Sequence, residues 1–127
     1  MIIGIGSDII SISRISRLLG YRKEQFLQRI LTPNEITMLQ HSRLEGYVAN
    51  RFAAKEAFSK AFGTGIGEHV SFQDLEILKT PQGQPYFKLS NKVKDFLQKK
   101  YGNNIKIHLS MSNETEYAHA TAIIESY

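Results

Sequence analysis

The chain has no cysteine among its 127 residues, which excludes a disulfide scaffold, a thiolate metal site and a cysteine nucleophile together. A long apolar run is missing as well. The opening segment, Met1 to Ile10, is apolar but is broken by Gly4, Gly6 and Asp8 and has no basic flank. It therefore reads as neither a secretion signal nor a membrane span, and no later segment approaches the roughly 20 apolar residues a spanning helix needs. Both absences fit a cytoplasmic protein. Internal repeats, low-complexity tracts and linkers are also lacking, and the length suits one domain over residues 1–127 with a single core. His41, His69, His108 and His119 show no metal-ligand spacing, and Ser110 and Ser112 have no nucleophile-elbow context, which removes the serine-hydrolase reading.

What is present is an ordinary globular composition, 42% hydrophobic and 22% charged. The formal net charge is +4, and its placement says more than its total. From Arg14 to Arg29 run Arg14, Arg17, Arg22, Lys23 and Arg29 against the single acid Glu24. This stretch can account for the whole excess. It points to an anionic partner (nucleic acid, membrane surface or acidic protein), with a merely solvated basic face as the plain alternative.

Residues 2–10 read as a strand. Ile12, Ile15, Leu18 and Leu19 then fall at helical spacing, and a second short helix is expected over Lys23–Ile30. Thr32-Pro33-Asn34-Glu35 is a capping box with proline in the first turn, predicting a helix toward His41. A longer helix is expected from about Gly46 to Phe62, stopped by Gly63. In the second half the pattern predicts a strand over residues 70–77 with a bulge near Gln73-Asp74. A turn at Thr80–Pro85 and a return strand at Tyr86–Leu89 follow. Ser90 caps a helix ending at Gly102, and strands follow at Ile105–Ser112 and Tyr117–Ile124. Tight turns between strands imply antiparallel pairing, so the expected class is α+β, an antiparallel sheet packed against a long helix.

The stretch richest in chemistry is Arg51-Phe-Ala-Ala-Lys-Glu-Ala-Phe-Ser-Lys-Ala-Phe-Gly63. On a helix, Ala54, Ala57, Phe58 and Ala61 gather on one side and suit close packing on a sheet, while Glu56 and Lys60 sit one turn apart elsewhere. Taken alone, that pair is a surface contact worth a few tenths of a kcal/mol. Asp8 changes its meaning. A carboxylate ending an apolar strand is costly to bury, and one carboxylate from a strand with one from a helix suits a hard cation such as magnesium. A neighbouring lysine would neutralise charge on a leaving phosphate. Gly63-Thr-Gly-Ile-Gly67 lets backbone amides approach a phosphate but lacks the Walker lysine-serine ending. Gly4-Ile-Gly6 likewise falls short of a dinucleotide fingerprint.

Three segments in order carry a resemblance: Gly4-Ile-Gly-Ser-Asp8 with Arg14, Phe26-Leu-Gln-Arg-Ile-Leu-Thr32 with Glu35, and Arg51 through Gly67. Together the sequence resembles the bacterial holo-acyl-carrier-protein synthases, magnesium-dependent phosphopantetheinyl transferases, over nearly its whole length. The resemblance implies their fold, and transfer of the phosphopantetheine arm of coenzyme A to a serine of apo-acyl carrier protein, releasing 3′,5′-ADP for fatty acid biosynthesis. It implies Asp8 and Glu56 as magnesium ligands beside the pyrophosphate, and Lys60 on the phosphates. Arg51, Gly63, Thr64, Gly65 and the turn from Gly83 to Pro85 would lie along the nucleotide. Arg14, Ile15, Leu18, Arg22, Phe26 and Arg29 would receive an acidic helix of the carrier protein. The family is trimeric, with active sites between subunits, and neither nucleic acid nor membrane is an expected partner.

One departure stands out. Where the family commonly reads Ser-x-Ser/Thr-His, this chain has Ser110-Met-Ser112-Asn113, so Ser112 and Asn113 would meet the nucleotide without histidine's charge. Transfer of this kind depends on positioning and electrostatics, and whether Glu56 itself takes the serine proton is left open. Two other classes remain. A small RNA-binding module would show aromatics interleaved with basic residues on a sheet face, of which Tyr86-Phe87-Lys88 is the only hint. A magnesium nuclease would need more acids than two for a two-metal site.

Overall fold

The computed structural model describes residues 1–39 and 43–127. In chain order its elements are β1 (Ile2–Ser11), α1 (Ile12–Ile30), α2 (Pro33–Thr37), α3 (Leu44–Phe62), β2 (Leu75–Lys79), β3 (Pro85–Leu89), α4 (Asn91–Tyr101), β4 (Ile105–Asn113) and β5 (Tyr117–Ser126). The sheets are β1-β5-β4 and β2-β3, and each of these pairings is antiparallel. This is the expected α+β architecture.

Local chemistry explains most boundaries. Thr32 accepts the Glu35 amide while Glu35 reaches back to the Thr32 amide, so the capping box forms as predicted. Ser90 caps α4, and Gly63 ends α3 in the left-handed conformation at φ 102°. Two expectations need correction. The 70–77 segment is no bulged strand: Phe72–Asp74 is a 3-10 turn, and the strand is confined to Leu75–Lys79. The Asp74 carboxylate accepts the Ser71 amide at 2.8 Å and the Ser90 hydroxyl at 2.7 Å, a side-chain alternative to ladder pairing that turns the chain. The two expected N-terminal helices form one run, α1, broken at Arg22 by non-helical angles (φ −144°, ψ 70°). Helix α2 stops at Thr37, tightened by the Met38 amide on Asn34 and Glu35 carbonyls, and His41 lies outside the described residues.

Helix α3 crosses the inner face of the three-stranded sheet. Ala53, Ala54, Ala57 and Ala61 are buried there against Ala118, Ala120, Ala122 and Ile124 of β5. Phe58 turns instead to Phe62 and to Phe87 of the β2-β3 hairpin, with ring centroids 5.9 and 5.2 Å away. Contact with β1 is closest of all. A Cβ on Gly6 would overlap the Ala57 carbonyl, and one on Gly4 the Ala61 carbonyl. Those two glycines let the helix backbone rest on the strand backbone, which brings the helix side chains within reach of Asp8.

Candidate active site

Strand alternation puts Asp8 on the same face as Gly6 and Ile10, beneath α3 and at the edge of the sheet. The Lys60 ammonium donates to Asp8 Oδ1 at 3.1 Å and to the Ser7 carbonyl at 2.9 Å. Lys60 is 51% exposed and Asp8 17%, so this ion pair opens to solvent and the ammonium keeps a proton free. Glu56, one turn earlier on α3, lies close enough to Asp8 for the two charges to repel. Its pKa is raised from the usual value by partial burial first and by Asp8 second, against the opposing pull of Lys60, Arg14 and Arg29. No hydrogen bond or ion pair meets the Glu56 carboxylate among the described residues.

Asp8, Glu56 and Lys60 are therefore brought together as the sequence suggested. Two mutually repelling carboxylates, one lacking a partner, suit a cation that relieves the repulsion. Among the described residues no cluster of three or more His, Cys, Asp or Glu could hold a metal, so the carboxylates on offer at this site are Asp8 and Glu56. That donor set fits a hard divalent ion that completes its shell with water and phosphate oxygens. It does not suit zinc, whose sites take three or four side chains.

The glycine loop behaves otherwise than expected. The amides of Gly63 and Gly65 both donate to the Ser59 carbonyl, at 3.0 and 3.1 Å, and the Gly67 amide donates to Val70. All three glycine amides donate within the chain. The loop still follows Lys60 by one turn, with Thr64 exposed. Gly83, at φ 91°, and Pro85 shape the β2-β3 turn. Farther along α3, Arg51 is buried with its guanidinium 3.6 Å from the Tyr47 ring centre and its Nε without a partner. Asn113 lies against Gly46 in the first turn of α3, and Ser112 is exposed on the sheet's outer face. From Gly46 to Glu56 a helix rises about 15 Å, so within one chain Asn113 is remote from the carboxylates.

On α1, Arg14, Leu18, Arg22 and Arg29 are exposed and Phe26 is half-buried. Ile15 is fully buried in the core, so it holds the helix in place and offers a partner no surface. The basic face borders the acids, since Arg14 and Arg29 both act on Glu56.

The model of the 4′-phosphopantetheinyl transferase superfamily matches residues 4–122. The chain belongs to that superfamily. It is similar to the holo-[acyl-carrier-protein] synthase of Vesicomyosocius okutanii, 46% identical over 126 residues and covering 98% of each chain. The Bacillus subtilis synthase is 44% identical over 128 residues, covering 98% of this chain and 97% of its own. Among solved structures, the Neisseria meningitidis synthase matches with a TM-score of 0.92 at 40% identity, covering 99% of this chain and 100% of that one. The Bacillus anthracis synthase, solved in complex with CoA (3′,5′-ADP), matches with a TM-score of 0.82 at 43% identity, covering 100% and 99%.

Sequence reasoning missed Lys55. It is fully buried and ion-paired with Glu35, although the sequence assigned Glu35 only a capping role. The two are 20 residues apart, and no local pattern joins them.

Proposed function

We propose that the chain transfers the phosphopantetheine arm of coenzyme A to a serine of apo-acyl carrier protein, releasing 3′,5′-ADP, as a magnesium-dependent reaction of fatty acid biosynthesis. The observation that carries this reading is the convergence of Asp8, Glu56 and Lys60 at the junction of β1 and α3. Asp8 and Glu56 would hold the ion; when bound, magnesium supplies charge neutralisation at the pyrophosphate. Lys60, with a proton to spare, moves onto the phosphate oxygens and offsets the charge that builds on the leaving group. The loop at Gly63–Gly65 and the turn at Gly83–Pro85 flank the nucleotide by shape, since the glycine amides are already engaged.

The reading extends to a homotrimer. The outer face of the sheet is bare: Ile5 is 65% exposed, Ile9 62% and Tyr117 51%, an apolar surface that a second copy would cover. Ser112 and Asn113, remote from their own chain's carboxylates, would then serve a neighbour's nucleotide, with Arg51 partway along α3 joining them. The exposed arginines of α1 supply the carrier-docking face.

Incubating the protein with apo-acyl carrier protein and coenzyme A, with magnesium or with chelator, and weighing the carrier intact tests the reading. The carrier should gain one phosphopantetheine arm only with magnesium. Equal modification in chelator would reject the metal, and no modification in either condition would reject the transfer.

A further inference from the structure

On the side of α3 away from the three-stranded sheet, Lys55 and Glu35 form an ion pair that the chemistry at Asp8 and Glu56 does not use. Both side chains are fully buried, with Nζ 2.6 Å from Oε1. The ammonium also donates to the Ile30 carbonyl at 2.7 Å and the Phe72 carbonyl at 3.1 Å. Glu35 accepts the Thr32 amide at 2.9 Å and, through its second oxygen, the Ile77 amide at 3.0 Å. All three ammonium protons and both carboxylate oxygens are engaged. The end of α1, the start of α2, α3, the 3-10 turn and β2 all meet at this one pair.

A well-packed apolar pair of similar volume could hold this core equally well. What the ions add is direction, and the directions are informative. Helix α1 is interrupted at Arg22, so its second half is not fixed by continuity with the first. Side chains from elsewhere fix it instead. Lys55 takes the Ile30 carbonyl, and Gln73 Nε2 takes the Gln28 and Leu31 carbonyls at 2.6 and 2.7 Å. Lys55 also directly precedes Glu56, so adjacent residues of α3 carry the grip on α1 and a carboxylate of the site.

We propose that Lys55, oriented by Glu35, is a positioning residue for carrier-protein docking. It sets the second half of α1, with Phe26 and Arg29, at a fixed distance and angle from Glu56 and Lys60. This rests on the reading of α1 as the carrier-docking element.

Lys55→Met combined with Glu35→Gln removes both charges and leaves no uncompensated ion. Small displacements of a bound partner have large kinetic effects, so the Michaelis constant for carrier protein should rise about tenfold. The constant for coenzyme A should rise less, by no more than about threefold, because of its proposed contacts only Arg51, one turn before Lys55 on α3, borders the pair. A folded double variant with both constants unchanged, or with both raised equally, overturns the proposal. Arg14→Glu with Arg22→Glu, measured alongside, isolates the docking reading. If that pair leaves the carrier constant unchanged, the docking reading fails and the proposal with it. If it raises the constant while the double variant is silent, only the role of Lys55 fails. Should the double variant not fold, hydrogen exchange on the unmodified protein decides. Amides of residues 27–31 should open only together with residues 51–58 of α3. Their opening at clearly lower protection than α3 would overturn the clamp.

Discussion

Helix α3 carries two lysine–carboxylate pairs five residues apart, and they could hardly differ more. Lys55–Glu35 is sealed from solvent, 2.6 Å long, and surrounded by backbone partners that use every donor. Lys60–Asp8 is longer at 3.1 Å, has a half-exposed lysine, and lies beside a carboxylate with no partner among the described residues. A saturated buried pair has nothing left to offer a ligand, so its work is architectural. An unsaturated pair at the rim keeps charge available for one. The same two residue types on one helix are thus suited to opposite work, and the difference lies in their surroundings.

The largest effect on stability should come from breaking the sealed pair on one side. Lys55→Met alone strands the Glu35 carboxylate in the core and should cost about 3–5 kcal/mol, read as a fall in unfolding free energy in denaturant. Lys60→Ala should behave in the reverse way. Turnover should drop by about 10²–10³-fold, as for loss of a donor to transition-state charge, while stability changes by no more than about 1 kcal/mol for a pair this exposed. Steady-state rates and thermal melts on the same samples separate the two; a stability loss with specific activity intact would make Lys60 a second structural lysine.

Gly6→Ala tests the contact on which the rim pair depends. The added methyl meets the Ala57 backbone, and overpacking of this kind costs about 1–3 kcal/mol, with turnover falling further as α3 lifts away from Asp8. Calorimetry and rates together would show both. A smaller effect concerns Glu56 in metal-free protein. Asp8 raises its pKa and Lys60 lowers it, so Asp8→Asn should move the Glu56 titration down and Lys60→Ala should move it up. Carboxyl carbon shifts followed by NMR would read both directions, and a titration indifferent to Asp8 would mean the carboxylates do not interact.

Local signals made much of this legible in the sequence. The capping box at Thr32–Glu35, the glycine after Phe62, Ser90 ahead of α4 and the alternation from Ile105 to Ser112 each act over a few residues, and each yields the element expected. Asp8, Glu56 and Lys60 were legible through their motifs. Other features depend on what arrives from far along the chain. Gly4 and Gly6 look like half a nucleotide motif until α3 rests on them. Gln73-Asp74 looks like a bulge until Asp74 takes the Ser71 amide and the Ser90 hydroxyl. The loop amides at Gly63 and Gly65 look free until both fold back on Ser59. Lys55 has no local signature because its partners are Glu35, Ile30 and Phe72.

The most direct test is intact-mass analysis of apo-acyl carrier protein after incubation with coenzyme A, magnesium and either unmodified enzyme, Asp8→Asn or Glu56→Gln. Each amide keeps the side chain's shape and removes a charged ligand. Both variants should melt close to the unmodified protein and leave the carrier unmodified under conditions where the unmodified enzyme converts it fully. Conversion by either folded variant at the unmodified rate, with the same dependence on magnesium, would contradict the assignment of Asp8 and Glu56 as the reacting centre.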